Sequence, residues 1–276
     1  MLKQRTITAL ILTPLAIAAV LLSPTWVFAL IVAALFLGAA WEWSALAGLQ
    51  GSTLRLGFVL ASAALFALAW SLHGSVAAAC VIALGVGFWL LTLLWLRHFS
   101  WAAAPTRENL LLKLLACELA IIPAWLALMQ LHAQTPHGPW WTLFAVMLVW
   151  AADTGAYFAG VRFGTTKLAP RISPNKTRAG LWGALGLGGA VALVGGWMLG
   201  WRDGWLAALL VLALLVVLAS VVGDLIESLL KRQANVKDSG ALFPGHGGLL
   251  DRADSLLAAL PVFVAGRALI ELLRQS

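Results

Sequence analysis

The sequence has little charge and little cysteine. Only 11% of its 276 residues are Asp, Glu, Lys or Arg, whereas 62% are hydrophobic. The mean hydropathy is +0.94, which excludes an ordinary soluble globular domain. The two cysteines, Cys80 and Cys117, both lie inside apolar runs. This placement argues against a disulfide framework and against a thiolate metal site.

Apolar runs of bilayer length fill most of the chain. A transmembrane helix needs about 17–25 residues, and runs near this length predict nine spans, at 7–23, 25–47, 56–72, 74–96, 111–132, 139–160, 180–200, 204–226 and 250–272. The first run follows Lys3 and Arg5, as in a signal peptide. However, SPTW offers no small-x-small cleavage site, so we interpret this run as a retained helix. We therefore predict an all-α, polytopic integral membrane protein.

The positive charges predict an orientation. With the N-terminus in the cytoplasm, all but three of the 18 Lys and Arg residues fall on the cytoplasmic side; the exceptions are Arg202, Arg267 and Arg274. The positive-inside rule therefore places the N-terminus and the longest polar loops in the cytoplasm. The net charge of +7 also suits contact with anionic lipid headgroups. Because the basic residues are spread along membrane edges, a nucleic-acid partner is not expected.

Two regions of different character divide the chain. Residues 1–138 are predicted to be N-terminal transmembrane helices joined by short loops, with little polar chemistry. Residues 139–276 are predicted to form the catalytic transmembrane region, with cytoplasmic loops at 161–179 and 227–249. Both loops contain Lys, Arg, Ser, Gly and Pro, residue types that bind phosphate and shape a backbone around it.

Three features inside the apolar spans each suggest a different structural role. Glu42 is expected near a membrane interface and partly solvated. Glu118 lies within the fifth span, so it is expected to pair with another helix or to face a cavity. The glycine-rich run GALGLGGA at 183–190 has no preceding strand. It therefore predicts close helix packing rather than a dinucleotide-binding loop.

Acidic residues recur at helical spacing near the ends of the last two spans. In VVGDLIESLLKR, one helix face carries Asp224, Glu227 or Ser228, and Lys231. Asp251 and Asp254 share a face at the start of the ninth span, and antiparallel neighbouring spans can bring their carboxylates together. Carboxylates gathered at a membrane edge need cations. Oxygen ligands favour Mg²⁺, which in turn favours phosphates.

A family resemblance rests on one long stretch, SLLKRQANVKDSGALFPGHGGLLDRAD at 228–254. It closely resembles the signature of the phosphatidate cytidylyltransferase family, also called CDP-diacylglycerol synthases. Two further segments agree, DTGAYFAG with RFG (153–164) and SPNKT with the glycine that follows (173–180), as does Gly223-Asp224. The likeness is strong from about residue 150 to 270. Arg178-Ala179 departs from the aromatic or acidic pair usual in the family.

The resemblance implies transfer of CMP from CTP to phosphatidate without a covalent enzyme intermediate. Catalysis would then rest on positioning and on neutralisation of charge by Mg²⁺, and the sequence leaves a second cation open. The expected metal ligands are Asp224 and Asp251, with Asp254 ranked behind them. The expected catalytic residues are Asp224, Asp251, Lys237, Arg252 and His246. The expected substrate-binding or phosphate-binding residues are Asp153, Ser173, Lys176, Arg178, Ser228, Lys231, Arg232, Asp238, Gly245, Gly247 and Gly248. The three glycines would let the backbone approach phosphate oxygens.

The resemblance also implies partners and a location. CTP and phosphatidate are the expected substrates, in a bacterial-type cytoplasmic (inner) membrane, with the active site facing the cytoplasm. A homodimer is compatible with the sequence, which does not specify an oligomeric state. Two alternatives stay open. One is a CTP-dependent kinase of a polyprenol or phytol type, which would transfer the γ-phosphate. The other is an ion-coupled transporter, although transporters place charges near the bilayer midplane rather than at one membrane face.

Overall fold

The computed structural model describes residues 2–240 and 247–275. Within these residues the chain forms nine α-helices and one small β-hairpin. The helices are α1 Leu2–Leu22, α2 Thr25–Ala47, α3 Ser52–Ser71, α4 Val76–Arg97, α5 Arg107–His132, α6 Gly138–Phe163, α7 Arg178–Met198, α8 Asp203–Gln233 and α9 Leu250–Gln275. The hairpin pairs β1 Lys167–Ala169 with β2 Ser173–Thr177 in antiparallel register, between α6 and α7.

Eight of these helices, α2 to α9, are both long enough and apolar enough to span a membrane. The first helix has a shorter apolar part, Leu10–Leu22, within the residues searched. Helices of this length and hydropathy satisfy their backbone hydrogen bonds internally, as a bilayer requires. The prediction of an all-α, polytopic membrane protein is confirmed.

Both predicted polar loops contain regular structure. The loop predicted at 161–179 contains the hairpin, and α7 begins directly after β2 at Arg178. Helix α8 continues to Gln233, beyond the span end predicted at 226, so the first part of the loop predicted at 227–249 is helical. The predicted span ends at 226 because the apolar run ends there. The polar residues that follow continue the helical spacing of Asp224, Glu227 and Lys231, so the helix continues with them.

Buried tryptophans connect helices that are distant in sequence. The indole nitrogen of Trp89 on α4 donates to the carbonyl of Leu257 on α9 at 3.0 Å. On α5, the indole of Trp125 donates to the carbonyl of Ala29 on α2 at 3.0 Å. Each ring buries a large apolar surface while its N–H keeps a partner. The N-terminal helices α2, α4 and α5 thereby pack against one another and against α9.

Glycines allow close crossings in the C-terminal region. A Cβ on Gly183 of α7 would meet the carbonyl of Gly155 on α6, and a Cβ on Gly223 of α8 would meet the backbone carbonyl of Asp254 on α9. Small residues permit such close backbone approach between membrane helices. Close helix packing by the 183–190 run is confirmed, and these crossings bring together the helix ends that carry the acidic residues.

Candidate active site

A cavity of about 660 Å³ lies where the ends of α6, α8 and α9 meet the hairpin and the start of α7. Its charged lining consists of residues that the sequence had singled out: Asp153, Lys176, Asp224, Asp251, Arg252 and Asp254. These come from four separate elements, α6, β2, α8 and α9. The predicted convergence of polar residues from the last two spans is therefore present in the structure.

The hairpin delivers a lysine to this cavity. Lys176 Nζ lies 2.5 Å from Asp224 Oδ2, joining β2 to α8. The next residue, Thr177, is buried and caps α7, since its hydroxyl accepts from the amide of Gly180 at 3.0 Å. Because side chains alternate along a strand and Thr177 is held by the helix it caps, the position of Lys176 is set by the local SPNKT sequence.

Three carboxylates cluster beside this lysine. Asp224, Glu227 and Asp254 each offer an oxygen within 4.8 Å of the others, and Glu227 and Asp254 are 1% and 9% exposed. Lys231 Nζ lies 2.5 Å from Glu227 Oε2. Glu227 Oε1 is buried and has no hydrogen-bond partner in the described part of the chain. A buried carboxylate oxygen without a donor favours a cation, and an all-oxygen set fits a hard ion such as Mg²⁺.

Asp251 has a different environment from the cluster. Its Oδ1 accepts from Lys231 Nζ at 2.6 Å, and its Oδ2 accepts from the amide of Gly248 at 2.7 Å. Oδ2 also lies 3.0 Å from the Ser239 amide nitrogen and 2.8 Å from the Ser239 hydroxyl oxygen. Both oxygens therefore already have protein donors. Lys231 connects this aspartate to the cluster by contacting Glu227 as well.

Gly247 and Gly248, the last two residues of the GHGG stretch, make room for carboxylates in this structure. Gly247 has a φ of +80°, which favours glycine, and a Cβ there would lie 2.5 Å from Asp251 Oδ2. A Cβ on Gly248 would meet both carboxylate oxygens of Glu42 and the hydroxyl of Ser239. The close backbone approach that the sequence predicted toward phosphate is, among the described residues, an approach to Asp251 and Glu42.

The remaining predicted residues are not among the described residues that line the cavity. Ser228 is buried on α8, where its hydroxyl lies 3.3 Å from Asp224 Oδ1. Ser173 is half-buried at the start of β2. Four predicted residues are exposed: Arg178, Arg232, Lys237 and Asp238. Gly245 and His246 lie outside the described residues, so their predicted roles stay predictions.

Three side chains at the site are not among the residues that the sequence predicted for it: Glu42, Glu227 and Ser239. The helical spacing of VVGDLIESLLKR fits either Glu227 or Ser228, and only Ser228 is among the predicted site residues. Ser239 stands inside the resembling stretch, next to Asp238. Glu42 was expected to be partly solvated, but it is 7% exposed and hydrogen-bonded to the start of α9, so that expectation was wrong. A lone acid in the apolar run AWEWSALA was the available signal.

Charge at the cavity is unbalanced among the described side chains. Four carboxylates line the cavity, those of Asp153, Asp224, Asp251 and Asp254, against the basic groups of Lys176 and Arg252. Beside the lining, Glu227 is contacted by Lys231. The mutual repulsion and desolvation of the carboxylates leave a local preference for an added cation. Basic side chains at the rim favour an anionic ligand beside that cation.

Taken together, the fold and the cavity define a class: a polytopic membrane protein with an acidic, lysine-bordered site suited to a cation and phosphate groups. A family model described as the cytidylyltransferase family matches residues 3–270. The chain belongs to this cytidylyltransferase family, and it is an enzyme, a nucleotidyltransferase.

Two similar proteins match nearly the whole chain, and a third matches less than half of it. A Pseudomonas aeruginosa protein named phosphatidate cytidylyltransferase is 42% identical over 96% of each chain. A Haemophilus influenzae protein of the same name is 35% identical over 95% of this chain and 97% of its own. A Bacillus subtilis protein, also of that name, is 41% identical over 45% of this chain and 46% of its own.

Proposed function

We propose that this enzyme transfers CMP from CTP to phosphatidate in a Mg²⁺-dependent reaction, giving CDP-diacylglycerol and pyrophosphate for phospholipid biosynthesis. The observation that carries the proposal is the cluster of Asp224, Glu227 and Asp254 beside Lys176 and Lys231 at the mouth of the helix bundle. The relatives named phosphatidate cytidylyltransferase support the choice of substrates.

The reaction is a substitution at phosphorus. An oxygen of the phosphatidate phosphate forms a bond to the α-phosphorus of CTP, and the bond from that phosphorus to the α,β-bridging oxygen breaks. Pyrophosphate leaves with the electron pair of the broken bond. No enzyme nucleophile is needed, so the protein acts by holding two anionic substrates together and by balancing their charge.

The described residues divide into two groups for this task. Asp224, Glu227 and Asp254 would hold Mg²⁺, which neutralises phosphate charge when bound. Lys176 and Arg252, which line the cavity, would contact phosphate oxygens. Asp251 as a metal ligand stays a prediction. In this structure it orients Lys231, which lies between it and Glu227.

The location of the site suits a lipid phosphate. The cavity is at the ends of spanning helices, where the headgroup of a membrane lipid lies. Its wall includes the exposed side chains of Val161, which is apolar, and Tyr157, which is amphipathic. A water-soluble nucleotide can approach from the hairpin side. With the orientation predicted from the positive charges, this face is cytoplasmic and the membrane is the bacterial inner membrane.

The test uses purified protein with phosphatidate and CTP labelled either in cytidine or at the γ-phosphate. We expect the cytidine label to enter chloroform-extractable lipid only when Mg²⁺ is present, and the γ-label to leave as pyrophosphate. Entry of the γ-label into a polyprenol or phytol supplied in place of phosphatidate would instead identify a lipid kinase. If no lipid is labelled and vesicles that contain the protein take up a solute in an ion-dependent manner, the protein is a transporter.

A matched pair of variants on α8 connects this activity to the cluster. Asp224→Asn should reduce transfer by more than about a hundredfold, because a charged oxygen ligand is lost from the proposed metal site. Asp203→Asn changes the same group at the far end of the helix and should retain wild-type transfer. Equal activity of both variants would contradict the assignment of Asp224.

A further inference from the structure

Glu42 is a buried carboxylate of the N-terminal region. It accepts hydrogen bonds from two residues of the 228–254 stretch, which lie 207 and 208 positions later in the sequence. Its Oε1 accepts from the amide of Leu249 at 3.0 Å, and its Oε2 accepts from the amide of Leu250 at 2.8 Å. The proposed chemistry assigns it no role, and it is not among the described residues that line the cavity.

These two amides lie at the start of α9. The carbonyl of Leu249 accepts from the amides of Arg252 and Ala253, so Leu249 is the N-cap residue and its leucine side chain has no oxygen with which to cap the helix. The first amides of a helix have no acceptor within the helix. Glu42 supplies that acceptor from α2, and its negative charge is favourable at a helix N-terminus.

A second link leads from Glu42 to Asp251. The hydroxyl oxygen of Ser239 lies 2.8 Å from Glu42 Oε2 and 2.8 Å from Asp251 Oδ2. Asp251 is in the first turn of α9 and holds Lys231 at 2.6 Å. A shift at the start of α9 would therefore move Asp251, the adjacent Arg252 and the lysine together.

Close packing also holds the start of α9 against α2 at Glu42. A Cβ on Gly248 or Gly240 would meet the Glu42 carboxylate, and a Cβ on Gly38, one helical turn before Glu42, would meet the side chain of Leu249. The backbone on both sides of residues 241–246 therefore sits directly on α2 at Glu42. Glycine is needed at 248 because the carboxylate occupies the space of a side chain.

We propose that Glu42 is a positioning residue of the active site: it fixes the start of α9 and Ser239, and so the orientation of Asp251, Lys231 and Arg252. The proposal rests on the proposed cytidylyl transfer for its kinetic consequence, whereas its structural consequence is independent of the substrates. It assigns the N-terminal helices a part in organising the site as well as in membrane packing.

The test compares Glu42→Gln with Glu118→Gln in purified full-length protein. Glu118 is the matched control: an acid in α5 that accepts from the Ser62 hydroxyl of α3 at 2.5 Å rather than from an amide of α9. Glu42→Gln should lower kcat about ten- to a hundredfold through misplacement of the reacting groups. The KM for CTP should change less than about threefold, since the lost contact is not to nucleotide. Glu118→Gln should match wild type in both constants.

Hydrogen exchange of residues 247–252 gives a readout that does not depend on activity. Exchange of the Leu249 and Leu250 amides should be faster in Glu42→Gln and unchanged in Glu118→Gln, because Glu42 is their acceptor. Faster exchange with an unchanged kcat, or a raised KM alone, would overturn the positioning role. If wild-type protein transfers no CMP, the proposed function fails. Unchanged exchange of Leu249 and Leu250 in Glu42→Gln would separately contradict the proposal that Glu42 fixes the start of α9.

Ser239→Ala tests the second link without depending on the folding of Glu42→Gln. This variant removes the hydroxyl but keeps the backbone amide that donates to Asp251 and leaves α9 capped. We expect kcat to fall while exchange of Leu249 and Leu250 stays at the wild-type rate. A wild-type kcat would show that Asp251 is not oriented through this hydroxyl.

Discussion

At the residue scale, the carboxylates of the cavity differ in which donors they already have. Asp251 accepts from Lys231, Ser239 and Gly248, so its charge is balanced within the protein. Glu227 has one buried oxygen with no hydrogen-bond donor among the described residues. Asp251 therefore orients a lysine, whereas the buried Glu227 oxygen without a donor suits a cation.

Arg252 and Lys237 both belong to the resembling stretch, but the structure places them differently. Arg252 lines the cavity, whereas Lys237 is exposed and is not among the described lining residues. We expect Arg252→Ala to lower kcat/KM about ten- to a hundredfold, the effect of losing a charge-assisted contact to phosphate. Lys237→Ala should have the smaller effect.

The Mg²⁺ dependence of the same variants distinguishes phosphate contacts from metal ligands. Arginine has no lone pair for a metal, so Arg252→Ala should keep the Mg²⁺ concentration needed for half-maximal rate. Asp254→Asn should raise that concentration or remove activity at every concentration. A Mg²⁺ requirement that rises in Arg252→Ala and not in Asp254→Asn would contradict both assignments.

At the element scale, the crossing of α6 and α7 holds the hairpin and the cavity wall in place. Gly183 of α7 packs on Gly155 and Ala159 of α6, whereas Gly186 on the same helix has open space at its Cβ position. The two glycines lie on the same helix, but only Gly183 is packed against a neighbouring helix, so they form a matched pair for substitution.

Gly183→Ala should destabilise the protein by about 1–3 kcal/mol, because a methyl group must displace the backbone of α6. Gly186→Ala is the control and should be neutral or slightly stabilising, since glycine is a poor helix former. Thermal unfolding of the two variants in the same detergent measures the difference. A lower midpoint for Gly186→Ala than for Gly183→Ala would show that the crossing does not limit stability.

At the scale of the whole molecule, the ends of the spanning helices divide into two groups. The hairpin, the end of α8 and the start of α9 share one end with the cavity, and the turn between α5 and α6 belongs to the other. The distribution of positive charge predicts that the cavity end faces the cytoplasm.

Single cysteines placed in a background without Cys80 and Cys117 test this sidedness. Thr165→Cys and Asp238→Cys, both at exposed positions near the cavity, should react with an impermeant thiol reagent in inverted membranes and not in intact cells. His137→Cys, in the turn between α5 and α6, is the control and should show the opposite pattern. Labelling of Thr165→Cys in intact cells with an opened outer membrane would contradict the orientation.

Local sequence was enough to predict the class of fold and part of the site. Apolar runs of bilayer length determine helices because the bilayer leaves unpaired backbone groups no partner. The 3.6-residue period placed Asp224 with Lys231 on one face of α8, and Asp251 with Asp254 in the first turns of α9. Glycines at 183–190 predicted a close crossing because small side chains permit one.

Only the tertiary structure decided which of these groups touch. Asp251 and Asp254 are three residues apart, yet one is held by Lys231 and Ser239 while the other joins Asp224 and Glu227. Glu42 reaches Leu249 and Leu250 only because α2 packs beside the start of α9. Hydrogen bonds over about 3 Å depend on helix rotation and crossing, which side-chain packing along the whole bundle sets. A periodic pattern specifies the face of one helix, but not which helix that face meets.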